Sequence, residues 1–242
     1  MRVLDTFCDL VFPRRCEICG KSVDRCGRHL CSACLERIPF VPQHGCCRVC
    51  GRATEGLDGE YLCEDCRRPS TKPAFDRAAS AVSFDELPRQ MILDYKFNRA
   101  LHLVRDFADW LEAALNVRFP ASEIDLVVPM PITRFHRWNR GYNQCGYLAE
   151  ELAKRIDRRC DPRQLCRVGS PRRQGGLDEE ARRENVRGTF AAPHPEFVRG
   201  RTILLIDDVM TTGATFSESA ATLKSAGATR VWCLSLARSV RT

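Results

Sequence analysis

The chain has 242 residues, a net charge of +7 and 44% hydrophobic residues, which suits one large globular domain or two smaller ones. Its apolar runs are far shorter than the roughly 20 residues that a membrane-spanning helix needs, and residues 1–16 lack the pattern of a signal peptide. Arginine outnumbers lysine by 33 to 5 and the basic excess lies after residue 70. A basic balance favours anionic partners, and a merely solvated arginine-rich surface is the alternative that stays open.

The N-terminal part of the chain carries a cysteine repeat. Of 15 cysteines, 11 lie within the first 66 residues. Residues 16–34 and 47–66 share one template, C-x-x-C-G followed by a variable stretch and Leu-Cys-x-x-Cys. Each C-x-x-C directs two thiolates to one ion, and the glycine permits the tight turn. Without a secretion signal, structural zinc in a reducing cytosol is favoured over a disulfide framework.

Two pairings of the four cysteine knuckles are open at this stage. The repeat favours sequential pairing, because each copy then closes as its own ribbon, whereas an interleaved cross-brace would mix the copies. Cys47, and not Cys46, has the spacing to Cys50, and Cys8 and Cys26 fall outside the template. Such ribbons would take their folding energy from two structural zinc ions. The sequential ligand sets are Cys16, Cys19, Cys31 and Cys34 for one ion and Cys47, Cys50, Cys63 and Cys66 for the other.

Strand-like and helix-like segments alternate after a Pro- and Ser-containing joint at residues 67–75. Such alternation predicts an α/β fold, a parallel sheet flanked by helices. The predicted domains are residues 1–70, an N-terminal helix with a double zinc ribbon, and residues 71–242. The predicted strands are 77–84, 125–130, 202–206 and 230–237; the predicted helices are 87–95, 101–115, 147–156 and 215–226; and 158–200 is predicted to be a long functional loop or hood.

Residues 203–215, "ILLIDDVMTTGAT", place two carboxylates directly after a buried strand. Ligands of open α/β sheets bind beyond the carboxyl ends of strands, where Asp207 and Asp208 are expected. The turn at 211–215 begins a helix, whose free N–H groups and positive end attract an anion. Gly213 allows close approach of the backbone. The alternative is an acidic strand end followed by an ordinary helix cap.

A ribose 5-phosphate fits this combination, because its hydroxyls can donate to the carboxylates while its phosphate accepts from the turn. The turn contains neither GK[ST], which a P-loop requires, nor the GxGxxG of a dinucleotide site. The segment therefore predicts a sugar-phosphate site at the end of this strand.

The same segment resembles the phosphoribosyl pyrophosphate (PRPP) signature of type I phosphoribosyltransferases. Together with the cysteine ribbons, "VVPMP" at 127–131, "RGYNQ" at 140–144, and Gln174, Leu177, Arg182, Asn185 and Phe190, it resembles the ComF (ComFC) family of competence-associated proteins. The resemblance implies a type I phosphoribosyltransferase-like sheet behind a small cysteine-rich zinc-ribbon domain. It also implies binding of PRPP with Mg²⁺ and displacement of pyrophosphate from the anomeric carbon.

The resemblance assigns roles to two groups of residues. Asp207 and Asp208 are the expected catalytic residues, and the PRPP-binding residues are Asp207, Asp208, Val209, Met210, Thr211, Thr212, Gly213, Ala214 and Thr215. The pyrophosphate loop is expected after the strand at 125–130, with Pro131, Arg134, Arg137, Arg140 and, as a further phosphate contact, Lys96. Arginine suits this task because its guanidinium grips phosphate oxygens with two hydrogen bonds.

Two functions remain open from the sequence. The first is a phosphoribosyltransferase whose acceptor substrate the sequence does not identify. The second is a non-catalytic protein of the same fold. Such a protein would bind single-stranded DNA or protein partners of the competence machinery, such as a helicase or processing protein. Residues 158–173 hold six arginines and one acid but lack aromatic residues for base stacking. The expected location is the cytoplasm, including the inner face of the membrane through partners. The candidate nucleic-acid contacts are Arg158, Arg159, Arg163, Arg167, Arg172 and Arg173.

Overall fold

The computed structural model describes residues 14–24, 27–42, 45–53, 61–133, 138, 140–169 and 186–239. The repeat cysteines and the whole segment 203–215 are among them. Several predicted features lie outside the described residues, namely the N-terminal helix, Cys8, Cys26, Arg134, Arg137, Arg172, Arg173 and the motif residues between 174 and 185.

A parallel sheet forms the centre of the C-terminal region. The strands of the described residues are β1 (Arg77–Ser83), β2 (Leu126–Pro129), β3 (Arg159–Cys160), β4 (Cys166–Arg167), β5 (Phe190–Ala191), β6 (Thr202–Met210) and β7 (Arg230–Arg238). Five of them pair in the order β1-β7-β6-β2-β3, all in parallel. Strands β4 and β5 form a separate antiparallel pair. Strand β6 therefore lies at the middle of the main sheet, where β7 and β2 cover both of its edges.

Helices flank this sheet. They are α1 (Ser32–Leu35), α2 (Glu64–Arg67), α3 (Glu86–Phe97), α4 (Val104–Arg118), α5 (Gln144–Arg155) and α6 (Ala214–Ser225), with short 3₁₀ turns at Leu101–Leu103, Ala121–Glu123, Pro162–Gln164 and Pro195–Phe197. Apolar residues of α3, α4 and α5 pack together on one side of the sheet, and those of α6 pack on the other. The predicted parallel α/β sheet with flanking helices is confirmed.

Three predicted segments differ from the observed elements in an informative way. Strand β6 continues to Met210, because its backbone pairing with β7 persists through Asp207 and Val209. Helix α5 forms as predicted, but Tyr147, which was predicted to lie on its apolar face, is 43% exposed. The predicted long loop 158–200 contains β3, β4 and β5 within its described part, so short strands organise it.

The two zinc ribbons pack on opposite faces of the sheet. Cysteines of the first ribbon, such as Cys16 and Cys34, belong to the same buried cluster as α3, α4 and α5. Those of the second ribbon, such as Cys47 and Cys66, belong to the cluster that contains α6. The alternation of side chains along a strand separates these clusters. Each ribbon thus completes the apolar core of one face.

The segment between the ribbons also covers the edge of the sheet. The Val41 N–H donates to the Ala81 carbonyl at 2.9 Å, and the Ser83 N–H donates to the Pro39 carbonyl at 2.8 Å. These bonds satisfy backbone groups of β1 that an edge strand would otherwise expose. The ribbon region is therefore hydrogen-bonded to the sheet as well as packed against it.

Gly51, the glycine of the second ribbon's first knuckle, touches β1 directly. A Cβ atom at Gly51 would lie 2.7 Å from the Ala78 carbonyl oxygen, and the Ala78 N–H donates to the Val49 carbonyl at 2.6 Å. Buried Arg238 of β7 donates to the carbonyl of Cys50 in the same knuckle. This glycine thus serves the contact between ribbon and sheet, beyond its turn.

Gly20 occupies the equivalent place in the first ribbon and provides a matched control. Its φ of 70° equals that of Gly51 within a degree, but a Cβ atom there would meet no atom within 4 Å. We expect Gly20→Ala to lower the free energy of unfolding by about 1 kcal/mol through backbone strain, and Gly51→Ala by about 3 kcal/mol or more, because the clash with β1 is added. Urea denaturation with zinc present measures both; equal losses would contradict the proposed contact.

Candidate functional site

Two groups of four cysteines meet the requirements of tetrahedral zinc sites. Within each group, Cys16, Cys19, Cys31 and Cys34 or Cys47, Cys50, Cys63 and Cys66, the sulfur atoms lie within 4.8 Å of one another. The structure therefore groups these cysteines in the sequential sets and not in the interleaved ones. Cys46 turns away, and its thiol donates to the Pro42 carbonyl at 2.7 Å. Four thiolates suit a structural zinc ion, because they fill its tetrahedral shell and leave no coordination position open for a substrate.

The acidic pair at the end of β6 is asymmetric. Asp208 is 5% exposed, and both of its oxygens are engaged. The Lys96 ammonium lies 2.8 Å from Oδ1, and the Gln144 amide donates to Oδ2 at 2.9 Å. Burial alone would lower the pKa of Lys96, but the charge of Asp208 outweighs burial and keeps that pKa above its ordinary value. Asp208 is thus buried with a cation on one oxygen and an amide donor on the other.

Asp207 is the more accessible of the two carboxylates. It is half-buried and accepts a hydrogen bond from the Asp208 N–H at 2.9 Å and from the Cys145 thiol at 3.3 Å. Burial and the neighbouring charge of Asp208 raise its pKa to about 7, although Lys96 opposes this shift. As the less buried of the two carboxylates, Asp207 is the available acceptor for the hydroxyls of a ligand.

The turn before α5 holds these contacts in place. Asn143 caps the helix, because its side-chain oxygen accepts from the Cys145 N–H at 3.1 Å. Its amide donates to the Met130 carbonyl at 3.1 Å and so ties α5 to the end of β2. The Tyr95 hydroxyl donates to the Gln144 carbonyl at 2.7 Å. The "RGYNQ" motif therefore places Gln144 and Cys145 beside the acidic pair.

Sequence reasoning missed Asn143, Gln144 and Cys145 as site residues and used the motif only as a family marker. The available signal was Asn143 followed by Gln144, because Asn at the start of a helix often caps it through a hydrogen bond to the nearby backbone. Lys96, at the end of α3, was predicted to contact phosphate. In the structure its ammonium pairs with Asp208 of β6.

The threonine-rich turn lies between β6 and α6. Gly213 begins α6 with a φ of 81°, and a Cβ atom there would lie 2.7 Å from the Met210 side chain. The Thr212 hydroxyl accepts from the Ala214 N–H at 3.2 Å. A cavity of about 370 Å³ adjoins the turn and is lined in part by Lys72, Arg187 and Ser217. The turn thus presents helix N–H groups and hydroxyls to an open space with two cations on its wall.

The remaining predicted residues of this turn differ in exposure. Thr211 is exposed, while Val209 and Thr215 are half-buried; Met210 and Ala214 are buried. The outer part of the turn is therefore the part that an anion could reach.

A larger cavity, of about 980 Å³, lies between the end of β2, the start of α5 and residues 162–169, which include β4. Pro131, predicted in the pyrophosphate loop, lines it, as do Tyr142, Tyr147 and Arg167. Arg140 from the same prediction is directed elsewhere, since its guanidinium lies over the Phe97 ring, 4.8 Å from the centroid. The smaller cavity thus adjoins the threonine-rich turn, and the larger one adjoins the end of β2 and the start of α5.

The four described arginines of the predicted nucleic-acid stretch have different surroundings. Arg159 and Arg163 both pair with Asp161, at 3.2 and 3.1 Å. Arg158 donates to the Asp157 and Ser122 carbonyls. Arg167 is half-buried, 5.1 Å from the Phe190 ring centroid, and faces the larger cavity. The structure does not bring these four side chains together into a single exposed row.

The N-terminal region and the whole chain match known proteins. Residues 7–67 match the double zinc ribbon domain. Competence protein F of Haemophilus influenzae is 28% identical over 94% of this chain and 98% of that protein. DNA utilization protein YhgH of Escherichia coli K12 is 29% identical over 85% of this chain and 96% of that protein. Competence protein ComFC of Bacillus subtilis is 24% identical over 82% and 79%. The predicted relation to the ComF proteins is confirmed by these homologues.

Solved structures with a similar arrangement include phosphoribosyltransferases. A glutamine PRPP amidotransferase from B. subtilis, complexed with ADP and GMP, matches with a TM-score of 0.39 and 18% identity, over 59% of this chain and 30% of that enzyme. Adenine phosphoribosyltransferase from Saccharomyces cerevisiae matches with a TM-score of 0.37 and 15% identity, over 58% and 72%. These similarities do not identify an activity. No helix among the described residues is long and apolar enough to cross a membrane.

The sequential zinc sites make a prediction that the interleaved alternative does not share. We expect two zinc ions per chain in the wild-type protein. The variant with both Cys47→Ser and Cys66→Ser should retain one ion, because both residues belong to the same site. Elemental analysis of the folded protein measures this, with Cys46→Ser as a control that retains two. Loss of both ions in the double variant would contradict sequential pairing.

Proposed function

We propose that the protein binds PRPP with Mg²⁺ at the end of β6 and transfers its phosphoribosyl group to an acceptor. The observation that carries this proposal is the placement of one accessible carboxylate, Asp207, directly before the Gly213 turn that begins α6. Ribose hydroxyls would donate to Asp207, and the 5-phosphate would accept from the turn beside Lys72 and Arg187, which line its cavity. Mg²⁺ would supply positive charge to the pyrophosphate group.

In this reaction the protein positions the donor more than it reacts with it. The lone pair of an acceptor nitrogen forms a bond to C1 of the ribose, and the bond from C1 to the pyrophosphate oxygen breaks. The electron pair leaves with pyrophosphate, and the acceptor nitrogen loses a proton to solvent. Orientation and charge stabilisation account for the rate enhancement in such a site.

The asymmetry of the acidic pair gives the two aspartates different roles in this proposal. Asp207 would bind the sugar, and Asp208 would hold Lys96 and Gln144 so that the wall of the site keeps its shape. Both aspartates thus belong to the proposed catalytic site, but only Asp207 would contact the ligand. This division refines the expectation that the two carboxylates bind the ribose side by side.

A role in DNA uptake is the biological context we propose. The homologues are named competence proteins and DNA utilization proteins, and those names motivate the context for this chain. Candidate protein partners remain the helicase or processing proteins of the competence machinery, in the cytoplasm or at the inner face of the membrane.

Substitutions of the two aspartates should separate these roles. Asp207→Asn should weaken PRPP binding at least about tenfold, because a hydrogen bond to a charged acceptor is lost, with little change in stability. Asp208→Asn should destabilise the fold by about 3 kcal/mol, because it leaves the half-buried charge of Lys96 unpaired. Titration calorimetry with Mg²⁺ measures binding, and chemical denaturation measures stability.

A double variant serves as the control for stability. Asp208→Asn combined with Lys96→Met removes both charges and should recover much of the lost stability. Absence of PRPP binding to the wild-type protein with Mg²⁺ present would contradict the proposed function. Undiminished binding by Asp207→Asn would remove Asp207 from the sugar site.

Single-stranded DNA binding is a second candidate function, and an exposed aromatic surface favours it. Trp138 is 83% exposed and Phe97 is 61% exposed. Arg140 lies over Phe97, and Trp138 comes two residues before Arg140 in the chain. Exposed rings beside a guanidinium are suited to base stacking and phosphate binding. The stretch 158–173 has the arginines but lacks these rings.

Replacement of the two rings tests this candidate. Phe97→Ala combined with Trp138→Ala should weaken binding of a labelled oligothymidylate about tenfold or more, because stacking of each base contributes about 1–3 kcal/mol. Fluorescence anisotropy at low salt measures the affinity. Phe197→Ala is a matched control, since Phe197 is 40% exposed and lies 6.0 Å from the Arg159 guanidinium.

The arginine stretch provides the competing outcome. If Arg172→Ala with Arg173→Ala reduces the salt dependence of binding while the aromatic variant binds normally, DNA lies on residues 158–173 instead. An unchanged affinity in both variants would contradict binding at either surface.

A further inference from the structure

Arg167 is a charged residue that has no ion-pair partner among the described residues. It ends β4 and stacks over Phe190 of β5. Within the described chain no carboxylate pairs with it, and its buried Nε atom has no hydrogen-bond partner. Burial lowers its pKa, and only the more distant charge of Asp207 opposes this shift. Its neighbours differ, since Arg159 and Arg163 both pair with Asp161.

Such a residue requires an explanation, because burying an unpaired charge costs free energy. Arg167 forms no ion pair and donates to no buried carbonyl within the described structure. Groups with perturbed pKa values in a cavity are candidates for functional contacts. The absent partner is therefore expected to be the anionic group of a ligand.

Arg167 faces the cavity of about 980 Å³. This volume corresponds to a site for a whole small molecule, since ligand pockets measure about 300–1,000 Å³. The opposite wall, on α5 and the turn before it, carries Tyr142, Tyr147 and Glu150. The two tyrosine rings lie 5.9 Å apart at an angle of 61°. A planar ring could pack on these tyrosines while an acidic substituent reaches Arg167.

The cavity also adjoins the proposed sugar site. Asn143 lines it, and the next two residues, Gln144 and Cys145, contact the acidic pair. Pro131, at the end of β2, lines it as well. The cavity and the acidic pair are therefore joined through three consecutive residues at the start of α5.

We propose that this cavity is the acceptor site, and that its acceptor is a planar nitrogenous ring that carries a carboxylate or another acidic group bound by Arg167. This inference rests on the proposed function, because it names the class of acceptor for the same transfer. The ring nitrogen or ring-attached amine would form the bond to C1, pyrophosphate would leave with the electron pair, and the nitrogen's proton would pass to solvent. The acidic group is unchanged in the reaction.

Matched pairs of probes test the assignment. Orotate and uracil differ by one carboxylate, as do anthranilate and aniline. With ribose 5-phosphate and Mg²⁺ present, we expect the acidic member of at least one pair to bind about tenfold more tightly than its neutral partner in titration calorimetry. A charge-assisted hydrogen bond is strong enough for this difference.

Arg167→Met should remove the preference by weakening the acidic probe about tenfold or more and leaving the neutral probe unchanged. Arg167→Lys, which keeps the charge, should restore part of it. Arg163→Met is the matched control at an exposed arginine, and it should retain the preference. Thermal denaturation adds a second readout: Arg167→Met should be as stable as the wild type or more so, whereas a structural arginine would destabilise on removal.

Four outcomes overturn the assignment. In the first, no acidic probe binds better than its neutral partner; in the second, the preference for the acidic probe survives Arg167→Met. In the third, Arg167→Met markedly lowers stability. In the fourth, Arg167→Met weakens the binding of inorganic pyrophosphate more than that of the acidic probe. The last result would assign Arg167 to the leaving group. An Arg167-dependent acidic preference without PRPP binding would instead contradict the proposed transfer and leave the acid-binding site standing.

Discussion

The candidate site depends on how two adjacent carboxylates are accommodated at the end of β6. Asp208 is buried, and it is stable there because Lys96 from α3 and Gln144 from α5 engage its two oxygens. This compensation fixes the ends of both helices against the central strand. It also leaves Asp207 as the accessible acceptor, held by the Cys145 thiol and the Asp208 N–H. Without Lys96, the charge of Asp208 would remain unpaired in the protein interior.

The zinc ribbons extend the same fold and do not form a separate appendage. Each contributes cysteines to the apolar cluster of one sheet face, and residues 39–41 pair with β1. The second ribbon reaches close to the site, because Arg238 donates to the Cys50 carbonyl and lies 3.8 Å from the Met210 sulfur. Met210 in turn packs against Gly213, the middle residue of the threonine-rich turn at 211–215. Direct contacts through Arg238 and Met210 thus join the second ribbon to this turn.

Local patterns carried much of the prediction. The C-x-x-C-G repeat identified both ligand sets, since four thiolates at fixed spacing have few other uses. Period and composition located the four main strands and placed α3 to α6 within a few residues. The end of β6 was predicted too early, because its last residues are held by pairing with β7. Tyr147 fitted an apolar helical face by spacing, yet it borders a cavity that no local pattern reveals.

The sequence by itself determined the ribbons, the order of strands and helices along the chain, and the chemistry available in residues 203–215. These features follow from short-range spacing and from the geometry of turns. Only the tertiary structure decided the partners of the charges. It placed Lys96 on Asp208 across 112 positions of the chain and paired Arg159 and Arg163 with Asp161. It also left Arg167 facing a cavity, with no counter-ion in the part of the chain that the structure describes. The energy of a charge depends on its burial and on neighbours that folding brings from distant parts of the chain.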